Sequence, residues 1–295
     1  MNKNQKLAQW LELRISYDAK ARNLNVETSC QEYMQRHNHL KILDLGAGTG
    51  ANCRYYFNKI SQEQEWFLVE QNQELLKIAF DRLIVWAREN GYESQLQNSI
   101  LVLKNQVHKI TIHTIVGSIL DLENLIDLNT FDLAVANAVF DLFSENQFQT
   151  LLECLKKYQL PLLATINYTG MNFIPQTDKD SCFIKYYDQH MQRHQYFGRG
   201  MGPDCGSSMW EAMNRIGMKV LQGESPWKIS NNDPIFIELI LGFMEESIPE
   251  IIEEATLQDE LNTWLLKKQE MIAQNKLSCN VAHLDFWGYW DGSVT

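Results

Sequence analysis

Apolar positions along the chain follow two spacings. Short, densely apolar segments recur at 42–45, 66–69, 109–116, 131–137 and 161–166, as in strands buried on both faces. Between several of them, apolar residues return at helical spacing: 52–59, 73–90 closed by Gly91, and 146–158. This alternation predicts an α/β fold with a mostly parallel sheet and helices on both faces. Right-handed crossovers then bring ligands to the carboxyl ends of the strands.

The two ends of the chain read differently. Residues 5–36 carry a helical pattern, with Leu7, Trp10, Leu11, Leu13 and Tyr17 on one face. Arg14, Asp18 and Arg22 stand at i, i+4 and i+8 on a shared polar stripe. The stripe is either a solvated face with ion pairs or a helix laid over the ligand mouth. After residue 166 the regularity weakens, and Tyr168, Phe173, Tyr186, Tyr187, His190, His194, Tyr196 and Phe197 accumulate. The glycine-rich 198–206 reads as loop. A helix over 207–216, a strand over 218–221, helices over 234–247 and 255–274, and a last strand over 280–287 follow. No repeat or linker divides the chain. The expectation is one domain, with a helical cap (1–38), a cofactor-binding core (40–166), a lid or substrate segment (167–206), and a C-terminal half (207–295) with a helical insertion before the last strand.

Composition narrows the function classes. The 295 residues carry 26 basic and 37 acidic side chains, a net charge of −11, which argues against a nucleic-acid partner. The six scattered cysteines contain no CxxC pair and read as reduced thiols of a cytoplasmic protein. No apolar stretch reaches the ~18 residues that a membrane span needs, and the first residues have no apolar signal core.

The chemistry concentrates at Lys41-Ile42-Leu43-Asp44-Leu45-Gly46-Ala47-Gly48-Thr49-Gly50, a strand that breaks into alternating glycines before a helix. Such a turn lets backbone N–H groups approach a nucleotide without Cβ clashes. Gly46, Gly48 and Ala51 loosely satisfy the dinucleotide pattern. Asp44, Gly46, Gly48 and Gly50 fully satisfy the Asp-x-Gly-x-Gly-x-Gly pattern of an S-adenosylmethionine (SAM) site. Asp44 discriminates between the two, because its carboxylate stabilises an α-ammonium group and repels a pyrophosphate. Glu70, 24 residues after Gly46, ends the second strand, where a carboxylate accepts ribose hydroxyls.

With these residues in place, the chain resembles the class I SAM-dependent methyltransferases. The resemblance rests on 42–50, Glu70, the turn Gly117-Ser118-Ile119, and 131–137 as the fourth strand. It extends to an uncharacterised branch of small methyltransferases through Trp10, Leu11, Leu13, Arg14, Asp18, Ala21 and Arg22, Asp141-Leu142, His190, Gly202-Pro203-Asp204 and Ser225-Pro226-Trp227. It implies a seven-stranded Rossmann-like sheet and transfer of the sulfonium methyl to an O, N or C nucleophile of a small molecule. SAM then falls to Asp44, Gly46, Ala47, Gly48, Glu70, Ser118, Ile119 and Asn137. Ser118 stands where the family usually has an Asp for the adenine amino group, with Asp121 three residues on. The strand-four ending Asn137-Ala138-Val139-Phe140-Asp141 lacks the signature of base-methylating enzymes.

Acceptor-side candidates are less determined. His190 and Tyr168 are candidates for catalysis; Arg14, Asp141 and His194 for substrate contact. Asp141 also suits a helix cap, and His190 with His194 share a helix face without a third metal ligand at a readable spacing. His283 and Asp285 either line a pocket or meet solvent. The competing functions are an NAD-linked oxidoreductase and a non-catalytic methyltransferase-like binding protein.

Overall fold

The computed structural model describes residues 2–195 and 198–291; Tyr196 and Phe197 lie outside the described residues. Three helices come first: α1 (Lys3–Leu13), α2 (Ile15–Ala21) and α3 (Leu24–Met34). The helical pattern of 5–36 is thus broken twice, at Arg14 and again before the Asn23 cap, whose side chain accepts the Asn25 and Val26 N–H groups.

The sheet is then laid down by β1 (His39–Leu45), β2 (Glu63–Glu70), a hairpin of β3 (Glu93–Gln97) and β4 (Ile100–Lys104), β5 (Lys109–Val116), β6 (Leu133–Asn137) and β7 (Leu162–Ile174). A short ribbon follows, β8 (His194–Gln195) with β9 (Gly198–Arg199), and then β10 (Lys219–Glu224), β11 (Trp227–Ile229) and β12 (Ser278–Tyr289). Helices fill the gaps: α4 (Ala51–Tyr56), α5 (Gln73–Glu89), α6 (Leu122–Leu125), α7 (Glu145–Lys157), α8 (Asp180–Met191), α9 (Cys205–Arg215), α10 (Pro234–Ser247) and α11 (Ala255–Ala273). Among the described residues, no helix is long and apolar enough to cross a membrane.

The strand order is β10-β12-β7-β6-β1-β2-β5-β4-β3, with β11 paired to β12. The core β7-β6-β1-β2-β5 is parallel, and β12 enters antiparallel to β7. This is a Rossmann-like, doubly wound mixed sheet. It holds ten strands rather than the expected seven. The additions are β11 and the β3–β4 hairpin, whose outer strand is exposed throughout and so carries no buried stripe to read. Apolar side chains of α3, α4 and α5 cover one face of the sheet, and those of α7 and α9 cover the other. Leu40, Ile42, Leu43 and Leu45 of β1 are fully buried between the layers.

The 167–206 segment is more regular than its sequence implies. β7 runs on to Ile174, and α8 occupies 180–191. The extension of β7 passes Ile166, which adopts φ +57°, opposite register shifts in β12. Asp285 from β12 repairs the break. Its Oδ1 accepts the Ile166 N–H at 2.7 Å and the Ser225 hydroxyl at 2.6 Å, and its Oδ2 accepts the Asn23 N–H at 2.8 Å. Asp285 therefore meets neither pocket nor solvent; it fastens the cap to the sheet.

Candidate functional site

Strand order reverses between β6 and β1, and in open α/β sheets such a switch point opens a crevice beyond the carboxyl ends of the strands. A cavity of about 250 Å³ lies there. Its wall combines the turns after β1, β2, β5 and β6 with residues of α1 and α2.

The turn after β1 closes when the Gly46 and Ala47 N–H groups both donate to the Val69 carbonyl, at 2.9 and 3.1 Å. Gly46 (φ +67°) and Gly48 (φ +54°) are left-handed, and both positions are crowded. A Cβ on Gly46 would stand 2.9 Å from Val139 Cγ2, and one on Gly48 3.0 Å from Leu11 Cδ1. Glycine is required by conformation and by space together.

Glu70 organises this turn. Its Oε2 accepts the Gly48 N–H at 3.1 Å and its Oε1 the Asn72 N–H at 3.0 Å, which leaves further lone-pair sites on both oxygens. Asp44 is almost wholly buried. Its Oδ1 accepts from Asn52 Nδ2 at 3.0 Å, and its Oδ2 has no partner. Burial pushes this carboxyl up to about 7, a rise that Glu70 adds to and that Asn52 and Arg22 oppose.

Arg22 stands beside Asp44. Its Nη1 donates to the Tyr56 hydroxyl at 2.9 Å, and its Nη2 donates to Asn52 Oδ1 at 2.8 Å and Asn137 Oδ1 at 3.3 Å. The guanidinium also lies 4.1 Å from the centroid of the Tyr55 ring. Asn137, ending β6, further accepts from Thr165 Oγ1 at 2.8 Å and donates to Asp18 Oδ2 at 2.8 Å. Ala138 follows at φ +55°, a conformation costing a non-glycine residue about 1–2 kcal/mol; its N–H is held by the Thr165 carbonyl at 2.8 Å. Past β5, the Ser118 hydroxyl accepts the Leu120 N–H at 3.2 Å.

Asp44, Gly46, Ala47, Gly48, Glu70, Ser118, Ile119 and Asn137 all line this cavity, and Arg14 does too. The other sequence candidates are placed elsewhere. Tyr168 is buried, with its hydroxyl donating to Asp188 Oδ1 at 2.8 Å. His190 ends α8, where its Nε2 lies 3.4 Å from Glu250 Oε2. His194 is exposed on β8, so the two histidines share no helix face. Asp121 is exposed and accepts from Asn124. Asp141 lies in a 3₁₀ turn and starts no α-helix; Ser144 caps α7 through the Gln147 N–H. Its Oδ1 is buried without a partner, and burial pushes its carboxyl up to about 6. His283 packs against Trp227, and burial, helped by the Arg14 charge, holds its imidazole well down, at about 3. Among the described residues, no group of three or more His, Cys, Asp or Glu is gathered as a metal site requires.

Sequence reasoning missed how far the cap forms the wall. Leu7 and Leu11 of α1 and Asp18 of α2 line the cavity, as do Asn52, Leu142 and Phe143. The cap is clamped at two points. Arg54 Nη2 and Nη1 reach the Glu12 carboxylate at 2.6 and 3.1 Å, and Asn72 Nδ2 donates to Asn4 Oδ1 at 3.0 Å. The apolar spacing of α1 was the available signal, but the partners lie far along the chain.

No protein-family model and no curated protein matches the chain in sequence. Structural matches extend across many class I SAM-dependent methyltransferases, all at low identity. Phosphoethanolamine N-methyltransferase 2 of Haemonchus contortus, in complex with SAM, is 14% identical with a TM-score of 0.43. That match covers 90% of this chain but 52% of the other, so the chain spans about half the length of the Haemonchus enzyme. A cyclopropane synthase of Mycobacterium tuberculosis is 12% identical (TM-score 0.44, covering 88% and 83%). An arsenic(III) S-adenosylmethionine methyltransferase of Chlamydomonas reinhardtii is 14% identical (TM-score 0.42, covering 85% and 64%). Overlaps this shallow carry no argument about activity or substrate, and the Rossmann-like fold stands on the strand order itself.

Proposed function

We propose that this chain is a SAM-dependent methyltransferase acting on a small molecule. The observation that carries the reading is the charge of the cavity wall: Asp18, Asp44 and Glu70 against Arg14. Asp18 is paired with Arg14, which leaves Asp44 and Glu70 to suit a cationic ligand and to oppose the two negative charges of a dinucleotide pyrophosphate. The helix after the glycine turn spans only Ala51–Tyr56, which weakens the N-terminal dipole on which a pyrophosphate would rely.

The residues fit the group. Asp44 Oδ2, buried and unpartnered, is an acceptor for an α-ammonium, and the free lone pairs of Glu70 serve ribose hydroxyls. Ser118 and Ile119 border the base, while Asn137 and the Gly46–Gly48 backbone hold the amino-acid portion. SAM supplies a methyl group on a positively charged sulfur, and catalysis asks the protein chiefly for alignment in a dry site. Leu7, Leu11, Leu142 and Phe143 supply the apolar wall that excludes water. We assign the chain as one domain, with α1–α3 as its cap.

Isothermal titration tests the proposal. SAM and S-adenosylhomocysteine bind and NADH does not, and Gly48→Arg abolishes binding by filling the space against Leu11. NADH binding in place of SAM, or unchanged SAM affinity in Gly48→Arg, refutes it.

A further inference from the structure

We infer that Arg14 is the anion-binding residue of the acceptor subsite, and that the methyl acceptor is a small molecule bearing a carboxylate or phosphate group. The inference rests on the methyltransferase reading above.

Arg14 lines the cavity with its side chain 12% exposed. Its ion pair runs through Nε to Asp18 Oδ2 at 3.3 Å, and among the described residues its two Nη atoms have no hydrogen-bond partner. Asp18 does not make up the deficit, because it is already shared: its Oδ1 accepts from Trp227 Nε1 at 3.1 Å and its Oδ2 from Asn137. The Nη donors are therefore open to the cavity, where an anion can take them. Its planar fork matches the paired oxygens of a carboxylate or phosphate.

The position assigns that anion to the acceptor rather than to the cofactor. Arg22 is the arginine at the cofactor's amino-acid end, bonded to Asn52 and Asn137, with its charge acting on Asp44. Arg14 sits on the other side of Asn137, paired with Asp18, whose Oδ1 takes Trp227 Nε1, and the Trp227 ring lies 4.7 Å from that of His283; its charge also acts on Asp141 and His283. Asp141 follows Ala138 in the turn after β6. His283 pairs with Tyr168 of β7, three residues past the Thr165 that pairs with Asn137 at the end of β6. Arg14 thus lies one carboxylate away from Asn137, and past Asn137 the cavity wall continues through Ala138, Val139, Leu142 and Phe143, the side on which a nucleophile must stand to meet the methyl group.

The test uses the full chain saturated with S-adenosylhomocysteine, with butyrate, inorganic phosphate and butylamine as probes in ligand-observed NMR. Butyrate or phosphate gives a saturable signal and butylamine does not; the tighter of the two anions names the group. Arg14→Gln weakens that anion at least tenfold, and Arg14→Lys, which keeps the charge without the fork, weakens it less, while titrated SAM affinity falls far less than anion affinity in both. A tenfold loss of SAM affinity in these variants would assign Arg14 to the cofactor's own carboxylate and overturn the inference. So would equal binding of butylamine, or no anion binding to the wild-type protein. Failure of the wild-type chain to bind SAM would instead sink the methyltransferase reading itself.

Discussion

Asn137 Nδ2 donates to Asp18 Oδ2 at 2.8 Å, joining the strand end where the sheet order reverses to a helix of the N-terminal cap. Asp18 also takes Trp227 Nε1 and pairs with Arg14. One buried carboxylate therefore ties α2, β6 and β11 together beside the cavity.

Asp18→Ala leaves three donors without an acceptor in a buried setting. The expected cost is on the order of 3–5 kcal/mol, lowering Tm by roughly 5–10 °C. Asp18→Asn retains part of the acceptor capacity and costs less. Thermal melts of the two variants check the order, and a Tm of Asp18→Ala equal to wild type would show that the network contributes nothing.

On the proposed function, Asp44 makes SAM binding depend on pH. Burial holds its carboxyl at about 7, and the ionised form is the one a cationic ligand stabilises. SAM affinity therefore falls as pH drops through 7, approaching about tenfold per pH unit well below it. Asp44→Asn binds more weakly at pH 8 and loses this dependence. Without ligand the sign reverses: the folded carboxyl keeps a proton that the unfolded chain sheds near pH ~4. The Asp44 contribution to stability therefore declines as pH rises from there to 7. Titration calorimetry and melts across that range read both slopes.

The Glu12–Arg54 pair holds the cap over the glycine turn, with side chains 20% and 12% exposed. A double-mutant cycle with Glu12→Gln and Arg54→Met should give a coupling of about 1–2 kcal/mol, above the usual surface pair because the contact is bidentate and sheltered. Each single variant should also raise protease sensitivity within α1 and weaken SAM several-fold. Coupling near zero would mean that the clamp is incidental.

Lys268 and Asp180 form a buried ion pair far along the chain from the cavity wall. Lys268 Nζ reaches both Asp180 oxygens, at 2.7 and 2.8 Å, and Trp264 Nε1 donates to Oδ1 at 2.7 Å. Burial drives the lysine down from its ordinary range while the carboxylate pulls it back up. Lys268→Met strands Asp180 and should cost on the order of 3–5 kcal/mol, and adding Asp180→Asn should recover most of it. SAM affinity measured below the melting transition should stay within twofold in both variants.

The sequence by itself determined the local features. Strand–helix alternation needs only nearest-neighbour burial to be legible, so β1, β2, β5, β6 and α5 fall within a few residues of their expected bounds. Asp44, Gly46 and Gly48 were legible as cavity-lining residues for the same reason, since they fall within one strand–helix unit, and Glu70 because it ends the next strand. Tertiary structure decided the rest. The β3–β4 hairpin has no buried alternation on its outer strand, and β7 continues past a left-handed Ile166 only because Asp285, 119 residues away, takes its N–H. The cap forms the cavity wall through contacts such as Asp18 with Asn137, also 119 residues apart. No periodicity encodes a pairing at that separation; it arises when the sheet closes and buried donors and acceptors must find one another. The same closure drew Arg14 to the cavity and left His190 and His194 outside it.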